Sequence, residues 1–99
     1  MRKLRYSRLA EADLDEIAAY TIGEWGEAQA GLYLSELQDG CERLAGNAGL
    51  GRSCDAVRKR LRRMEQGSHV VFYNTDESGV LVVRILHKSV VPELREFEG

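Results

Sequence analysis

The sequence is poor in the residues that cross-link, kink or anchor a chain. Among its 99 residues are two cysteines and one proline. Cys41 and Cys54 form no CxxC motif and have no histidine at ligand spacing, so we expect free, reduced thiols and no metal site. No apolar run approaches the roughly 20 residues that span a bilayer, and no apolar segment follows Met1 as in a signal peptide. We therefore expect a cytoplasmic protein that contacts no membrane and carries no cofactor.

The charges that are present are unevenly distributed. Composition is typical of a soluble globular protein, and residues 1–99 make one domain. Residues 1–50 carry five Lys/Arg and nine Asp/Glu, whereas residues 51–99 carry nine and seven. Five of the six residues in "RKRLRR", 58–63, are basic. Such a segment can attract phosphates or an acidic peptide, or it can protect an edge strand from pairing with other sheets.

The first half of the chain predicts a short strand and two helices. Residues 3–6 alternate in polarity, as in a strand with one buried face. Ser7 is an expected N-cap, and Gly26 ends the first helix. The second helix is expected over 27–46. Apolar positions recur every three or four residues on both helices, which predicts an αα-hairpin whose apolar residues, Trp25 and Tyr33 included, belong to the core.

The second half predicts three antiparallel strands. After a Gly-rich loop over 46–55, strand-like runs cover 57–65, 68–74 and 80–87, and a turn covers 75–79. Pro92 begins a charged tail with room for one helical turn. The predicted fold is α+β, with the order β-α-α-β-β-β, and the helical hairpin packs on one face of a small, largely antiparallel sheet.

Strict alternation in the last strand separates its side chains into two faces. Leu81, Val83 and Ile85 are expected to face the helices, and Val80, Val82, Arg84 and Leu86 the open side. In the preceding strand, His69, Val71 and Tyr73 are expected to share one face. An apolar open face around an arginine predicts a surface covered by the tail or by a partner segment, with Arg84 as a hydrogen-bonding anchor.

The same two strands contain the residue types of a metal-free ribonuclease. Cleavage of RNA by its own 2′-hydroxyl needs a base, an acid and a cation near the phosphate. His69, Tyr73, Arg84 and His87 supply these groups, although the sequence does not show that they converge. Both histidines also suit ordinary structural roles at strand ends.

Several blocks resemble the ParE branch of the RelE/ParE toxin superfamily. They are "SRLAEADLDEIAAYTIGEWGEAQAGLYLSEL", "GRSCDAVRKRLRRMEQGSHVVFY" and "VVRILHKSV". The resemblance extends from Leu4 to Ser89. It implies the RelE/ParE toxin fold, whose element order matches the one predicted from periodicity.

The resemblance also implies a function. Members of this branch are toxins of type II toxin–antitoxin systems, neutralised in a hetero-oligomer by a ParD-like antitoxin, and they inhibit DNA gyrase by binding it rather than by enzymatic action. An acidic antitoxin segment is expected on the basic and apolar surfaces of the last three strands. The expected contacts are Arg58, Arg60, Arg62, Val80, Val82, Arg84 and Leu86. Contacts with the cellular target are expected at His87, Lys88 and Arg95.

Two alternatives to gyrase inhibition follow from the same resemblance. RelE-like relatives are ribosome-dependent endoribonucleases that cut messenger RNA, for which His69, Tyr73, Arg84 and His87 are the candidate catalytic residues. The C-terminus also differs from the family pattern, because Val90-Val91 and Pro92 stand where a Met-Asp pair and a later histidine are usual. A relative that binds antitoxin without being toxic is therefore the third interpretation.

Overall fold

A computed structural model describes residues 3–98 as two helices packed on a five-stranded sheet. The strands are β1 (Lys3–Tyr6), β2 (Arg52–Ser53), β3 (Arg62–Gln66), β4 (His69–Asp76) and β5 (Gly79–His87), and the α-helices are α1 (Arg8–Trp25) and α2 (Glu27–Gly46). Two 3₁₀ turns, Ala48–Leu50 and Leu94–Phe97, complete the described chain. Neither α-helix combines the length and the hydrophobicity needed to cross a bilayer within residues 3–98.

The helical hairpin forms where periodicity and capping predict it. The Ser7 hydroxyl accepts a hydrogen bond from Ala10 N at 3.0 Å, which satisfies a free amide of the first turn of α1. Gly26, at φ +87°, ends α1 and starts α2. The inward positions of both helices are buried, but Trp25 is 69% exposed. The prediction that Trp25 belongs to the core is therefore wrong, because this last residue of α1 leaves most of its side chain in solvent.

The sheet is mixed, with the order β1-β5-β4-β3-β2. β1 pairs parallel with β5, and every other neighbouring pair is antiparallel. Gly79 is needed where β1 approaches the β4–β5 turn, since a Cβ there would lie 2.1 Å from the Lys3 carbonyl oxygen. The α+β class, the element order and the mostly antiparallel pairing predicted from the sequence are thus confirmed.

One predicted strand is wrong in its first half. Residues 57–60 form turns, and the strand begins only at Arg62. Arg60 adopts a positive φ of 69°, and its amide donates to the Asp55 carboxylate at 2.7 Å. This turn breaks the expected alternation, so Arg58, Arg60 and Arg62 do not form one row. The short strand β2 lies in the segment predicted to be loop.

A β-bulge in β5 changes the faces that strict alternation assigned. Tyr73 pairs with Val82 and Phe72 pairs with Arg84, so Val83 is the extra residue. Before the bulge, Val80 and Val82 face the helices and are fully buried. The predicted open-face positions of Val80 and Val82 are therefore wrong, and so is the helix-facing position of Val83, which lies in a second core on the opposite face. Ile85 faces the helices, as expected.

The second core is closed by the tail. Its buried members are Cys54, Leu61, Val70, Phe72, Val83, Leu86 and Phe97. Phe97 meets Phe72 edge-on, with 5.1 Å between ring centroids. Of the two covers predicted for this face, the tail is the one observed. Cys41 lies in the helix-side core and Cys54 in the second, both as free thiols, as expected.

Candidate functional site

A groove lies between α1 and the end of β5. It has two lobes of about 480 and 420 Å³ that share Tyr20, His69 and His87. Asp13, Glu16 and Val90 help to line the first lobe, and Trp25 and Tyr33 help to line the second. In the described part of the chain, no three His, Cys, Asp or Glu side chains cluster as metal ligands. Because exposed aromatic side chains line it, the groove suits the binding of a segment of another macromolecule.

Two histidines form the floor of the groove, and their Nδ1 atoms are already engaged. Tyr33 Oη accepts the Ser68 amide at 3.0 Å and is also hydrogen-bonded to His69 Nδ1. His87 Nδ1 accepts the Ser89 amide at 3.1 Å. The rings meet edge-on with centroids 5.5 Å apart.

The burial of His69 predicts a loss of stability in mild acid. Burial, with His87 as the second cause, lowers the pKa of His69 below its usual 6.5. The unfolded chain then binds more protons than the folded chain as pH falls below about 6.5, so the free energy of unfolding decreases there. We expect urea unfolding to show lower stability at about pH 5 than at about pH 7.5, and a smaller difference in His69→Gln. Equal pH dependence in the two proteins would contradict this assignment.

Arg84 does not point to a partner; it is held inside the molecule. Its Nε and Nη2 donate to the two carboxylate oxygens of Asp13, each at 2.8 Å, and its Nη1 donates to the Glu96 carbonyl. Asp13 Oδ2 also accepts the Ile85 amide at 2.8 Å, where β1 no longer covers the edge of β5. Hydrogen bonding to Asp13 raises the pKa of Arg84, so its charge is permanent. Arg84 is thus a hydrogen-bonding anchor on a face that the tail covers, as one of the two alternatives predicted, but it does not present its guanidinium to a partner, because this group joins α1, β5 and the tail.

The other residues of β5 that are predicted to contact the antitoxin are also buried. Val80 and Val82 lie in the helix-side core, and Leu86 lies beneath the tail. Val80 and Val82 present no accessible surface to a partner, and Leu86, which is 7% exposed, presents only a small one in the first lobe of the groove. The contact role predicted for Val80, Val82 and Leu86 is accordingly corrected to core packing.

The three arginines of the basic segment that are predicted to contact the antitoxin differ from one another. Arg58 donates to the Phe97 carbonyl at 3.4 Å, and Arg62 donates to the Gly51 carbonyl at 2.6 Å and to Tyr73 Oη at 3.3 Å. Arg60 and Lys59 are exposed. Within the basic segment, the side chains most available to an acidic partner are therefore Lys59 and Arg60.

The four candidate ribonuclease residues do not converge. His69, Arg84 and His87 line one lobe, but Arg84 is already hydrogen-bonded to Asp13 and Glu96. Tyr73 is fully buried and donates to the Ala48 carbonyl at 2.6 Å, and four residues of strand, roughly 13 Å, separate it from His69. His69, Val71 and Tyr73 do share the helix-facing side of β4, as predicted.

The expected target contacts lie on accessible surface. His87, Lys88 and Arg95 are all exposed, with Lys88 in the turn after β5 and Arg95 in the tail. Arg95 approaches Glu93 at 3.6 Å and Glu96 at 3.8 Å, which partly neutralises it. The contacts with the cellular target predicted for these three residues stay a prediction.

Sequence reasoning missed the residues that shape the groove. Periodicity gives no role to Tyr20, which is 68% exposed, and it assigns Trp25 to the core. No local pattern pairs Asp13 with Arg84. The signal available in the sequence was position, since Asp13 lies between Ala10 and Ile17 on the buried side of α1.

Comparison with known proteins gives consistent matches. A family model described as ParE toxin of the type II toxin–antitoxin system parDE matches residues 4–92. Toxin ParE1 of Mycobacterium tuberculosis is 45% identical over 83 residues, which are 83% of this chain and 85% of that protein. Toxin ParE1 of Caulobacter vibrioides is 42% identical over 90 residues, 91% of this chain and 93% of that one.

A solved structure supports the fold. The chromosomal ParDE TA system from P. aeruginosa contains a chain that superposes with a TM-score of 0.76 at 22% identity. The match covers 88% of this chain and 96% of that chain. At this identity, the likeness shows the architecture alone.

Proposed function

The chain belongs to the ParE toxin family of type II toxin–antitoxin systems, and from this premise we propose that it is a toxin neutralised by a ParD-like antitoxin and that it inhibits DNA gyrase by binding. The observation that carries the proposal is the family match over residues 4–92, together with 42–45% identity to two toxins named ParE1 over most of their length.

The accessible surfaces suit a protein that acts by contact. The groove presents Tyr20 and Trp25 to solvent, and the basic segment presents Lys59 and Arg60. Exposed aromatic rings and complementary charges are the usual anchors of protein interfaces. An acidic antitoxin segment would lie against Lys59 and Arg60, and the target would meet His87, Lys88 and Arg95.

The residues of the groove support ribonuclease activity less well than they support action by binding. A cation free to approach a scissile phosphate would be needed beside His69 and His87. Among residues 3–98, the one cation that lines the groove is Arg84, which is already paired with Asp13. Recruitment of Arg84 would require breaking two hydrogen bonds to a buried carboxylate.

A plasmid supercoiling assay tests the proposal. The purified chain is titrated against gyrase, with and without the antitoxin encoded beside it. We expect loss of supercoiling or accumulation of cleaved DNA, and reversal by the antitoxin. No effect on gyrase together with ribosome-dependent cleavage of messenger RNA would replace the proposal with the RelE-like activity. Antitoxin binding without either effect would identify a non-toxic relative.

A further inference from the structure

We propose that the groove between α1 and the end of β5 binds a partner segment that combines aliphatic side chains with lysine or arginine. The inference deepens the proposed function, because the occupant would be a second segment of the antitoxin, distinct from the acidic one expected at Lys59 and Arg60.

The apolar half of this recognition comes from exposed rings. Tyr20 and Trp25 are 68% and 69% exposed and project from the last two turns of α1. Val90, on the opposite wall, lines the first lobe. Large exposed apolar side chains around one groove mark a site that excludes water when a partner enters. Aliphatic groups on the occupant would be covered by these three side chains.

The charge expected of the occupant follows from the acidic residues of the helices beside the groove. Residues 8–46, which form both helices, carry nine acidic residues and two basic ones. Apart from Asp13, which is paired with Arg84, all these acidic residues are exposed, and Glu16 lines the first lobe directly. The acidic side chains of the helices, Glu16 above all, therefore favour a basic occupant over an acidic one.

Aromatic lining makes a basic side chain a better fit still. A lysine or arginine over the face of Trp25 or Tyr20 would gain a cation–π interaction in addition to its attraction to Glu16. Arg84 lines the groove but is paired with Asp13, and six of the other basic residues are concentrated in residues 52–63 around β2 and the start of β3. Two surfaces of opposite charge would fix the direction in which a two-part partner lies.

Trp25 supplies the measurement, because it is the single tryptophan of the sequence. Two amphipathic peptides of about 18 residues, or five helical turns, would be compared. Both carry leucine at every third or fourth position and lack aromatic residues; the polar positions are lysine in one and glutamate in the other. We expect the lysine peptide to shift Trp25 fluorescence to shorter wavelength and to bind at least roughly tenfold more tightly than the glutamate peptide.

Paired variants separate the groove from the overall charge. Glu16→Gln and Glu42→Gln each remove one exposed acid from the helices, but only Glu16 lines the groove. We expect Glu16→Gln to weaken the lysine peptide by roughly threefold and Glu42→Gln to leave it unchanged. Tyr20→Ser is expected to weaken the lysine peptide further.

Three results would overturn the inference. They are equal or tighter binding of the glutamate peptide, absence of binding by both peptides, and equal effects of Glu16→Gln and Glu42→Gln. Each is distinguishable from failure of the proposed function. A chain that inhibits gyrase but does not prefer the lysine peptide would keep its toxin role and lose this assignment, whereas a chain with the preference but no effect on gyrase would keep the groove.

Discussion

Replacement of Asp13 by alanine is expected to lower the free energy of unfolding by about 3–5 kcal/mol. The Asp13 carboxylate accepts two hydrogen bonds from Arg84 and one from the Ile85 amide. Both side chains of the pair are largely buried, at 7% and 17% exposure. Without Asp13, a permanent positive charge and a strand amide lose their partner in a poorly hydrated place. Urea unfolding followed by circular dichroism measures the loss.

Asp15→Ala is the matched control, because Asp15 is exposed on the same helix. We expect a change within about 0.5 kcal/mol for it. The double variant Asp13→Leu with Arg84→Met removes both charges, and it should recover much of the stability that Asp13→Ala loses. If Asp13→Ala lowered the free energy of unfolding as little as Asp15→Ala, the pairing of Asp13 with Arg84 would not be what joins α1 to β5.

Phe97→Ala is expected to cost about 3 kcal/mol, at the lower end for a buried aromatic residue because the tail can relax. Phe97 is 6% exposed and packs edge-on against Phe72 in the second core. Its removal uncovers Leu86 and Val83 as well. Denaturant unfolding gives the loss, and binding of the dye ANS should increase because apolar surface is exposed.

Leu94→Ala serves as the control for Phe97→Ala, because Leu94 lies in the same 3₁₀ turn and is 52% exposed. We expect it to change stability by less than about 0.5 kcal/mol. Similar stabilities of Phe97→Ala and Leu94→Ala would mean that the tail does not close the second core in solution.

The helical hairpin was predictable because its signals are local. Ser7 and Gly26 mark the ends of α1 through capping and a positive φ, and apolar spacing identifies the buried side of each helix. Both features depend on residues within a few positions of one another. Strand β1 and the hairpin of β4 and β5 were predictable for the same reason.

The faces of β5 were not predictable, because a single extra residue reverses them. Alternation assigns faces correctly only while the pairing has no bulge, and the extra residue at Val83 shifts every side chain before it. A bulge depends on the partner strand, which periodicity within β5 does not reveal. The strand predicted over 57–65 was wrong in its first half for a similar reason. The turn there is fixed by the Asp55 carboxylate, which accepts the amide of Arg60 five residues later.

The candidate site was predictable in its residue types but not in its arrangement. His69 and His87 were identified on adjacent strands, and the structure places both in the groove. The pairing of Arg84 with Asp13 joins residues 71 positions apart, which no local pattern encodes. Exposure of Trp25 depends on where α1 ends relative to the sheet, so hydrophobicity alone assigned it to the core.

The parallel pairing of β1 with β5 has a consequence for synthesis on the ribosome. Lys3 and Tyr6 pair with Gly79 and Val82, so β1 has no neighbouring strand in the sheet until β5 has been synthesised. At 5–20 residues per second, translation of the chain takes roughly 5–20 s, and β1 stays unpaired for most of that time. A nascent chain interrupted before residue 82 lacks most of β5, the strand between β1 and β4, and therefore the β5 wall of the groove. The groove thus arises only after β5 has been synthesised.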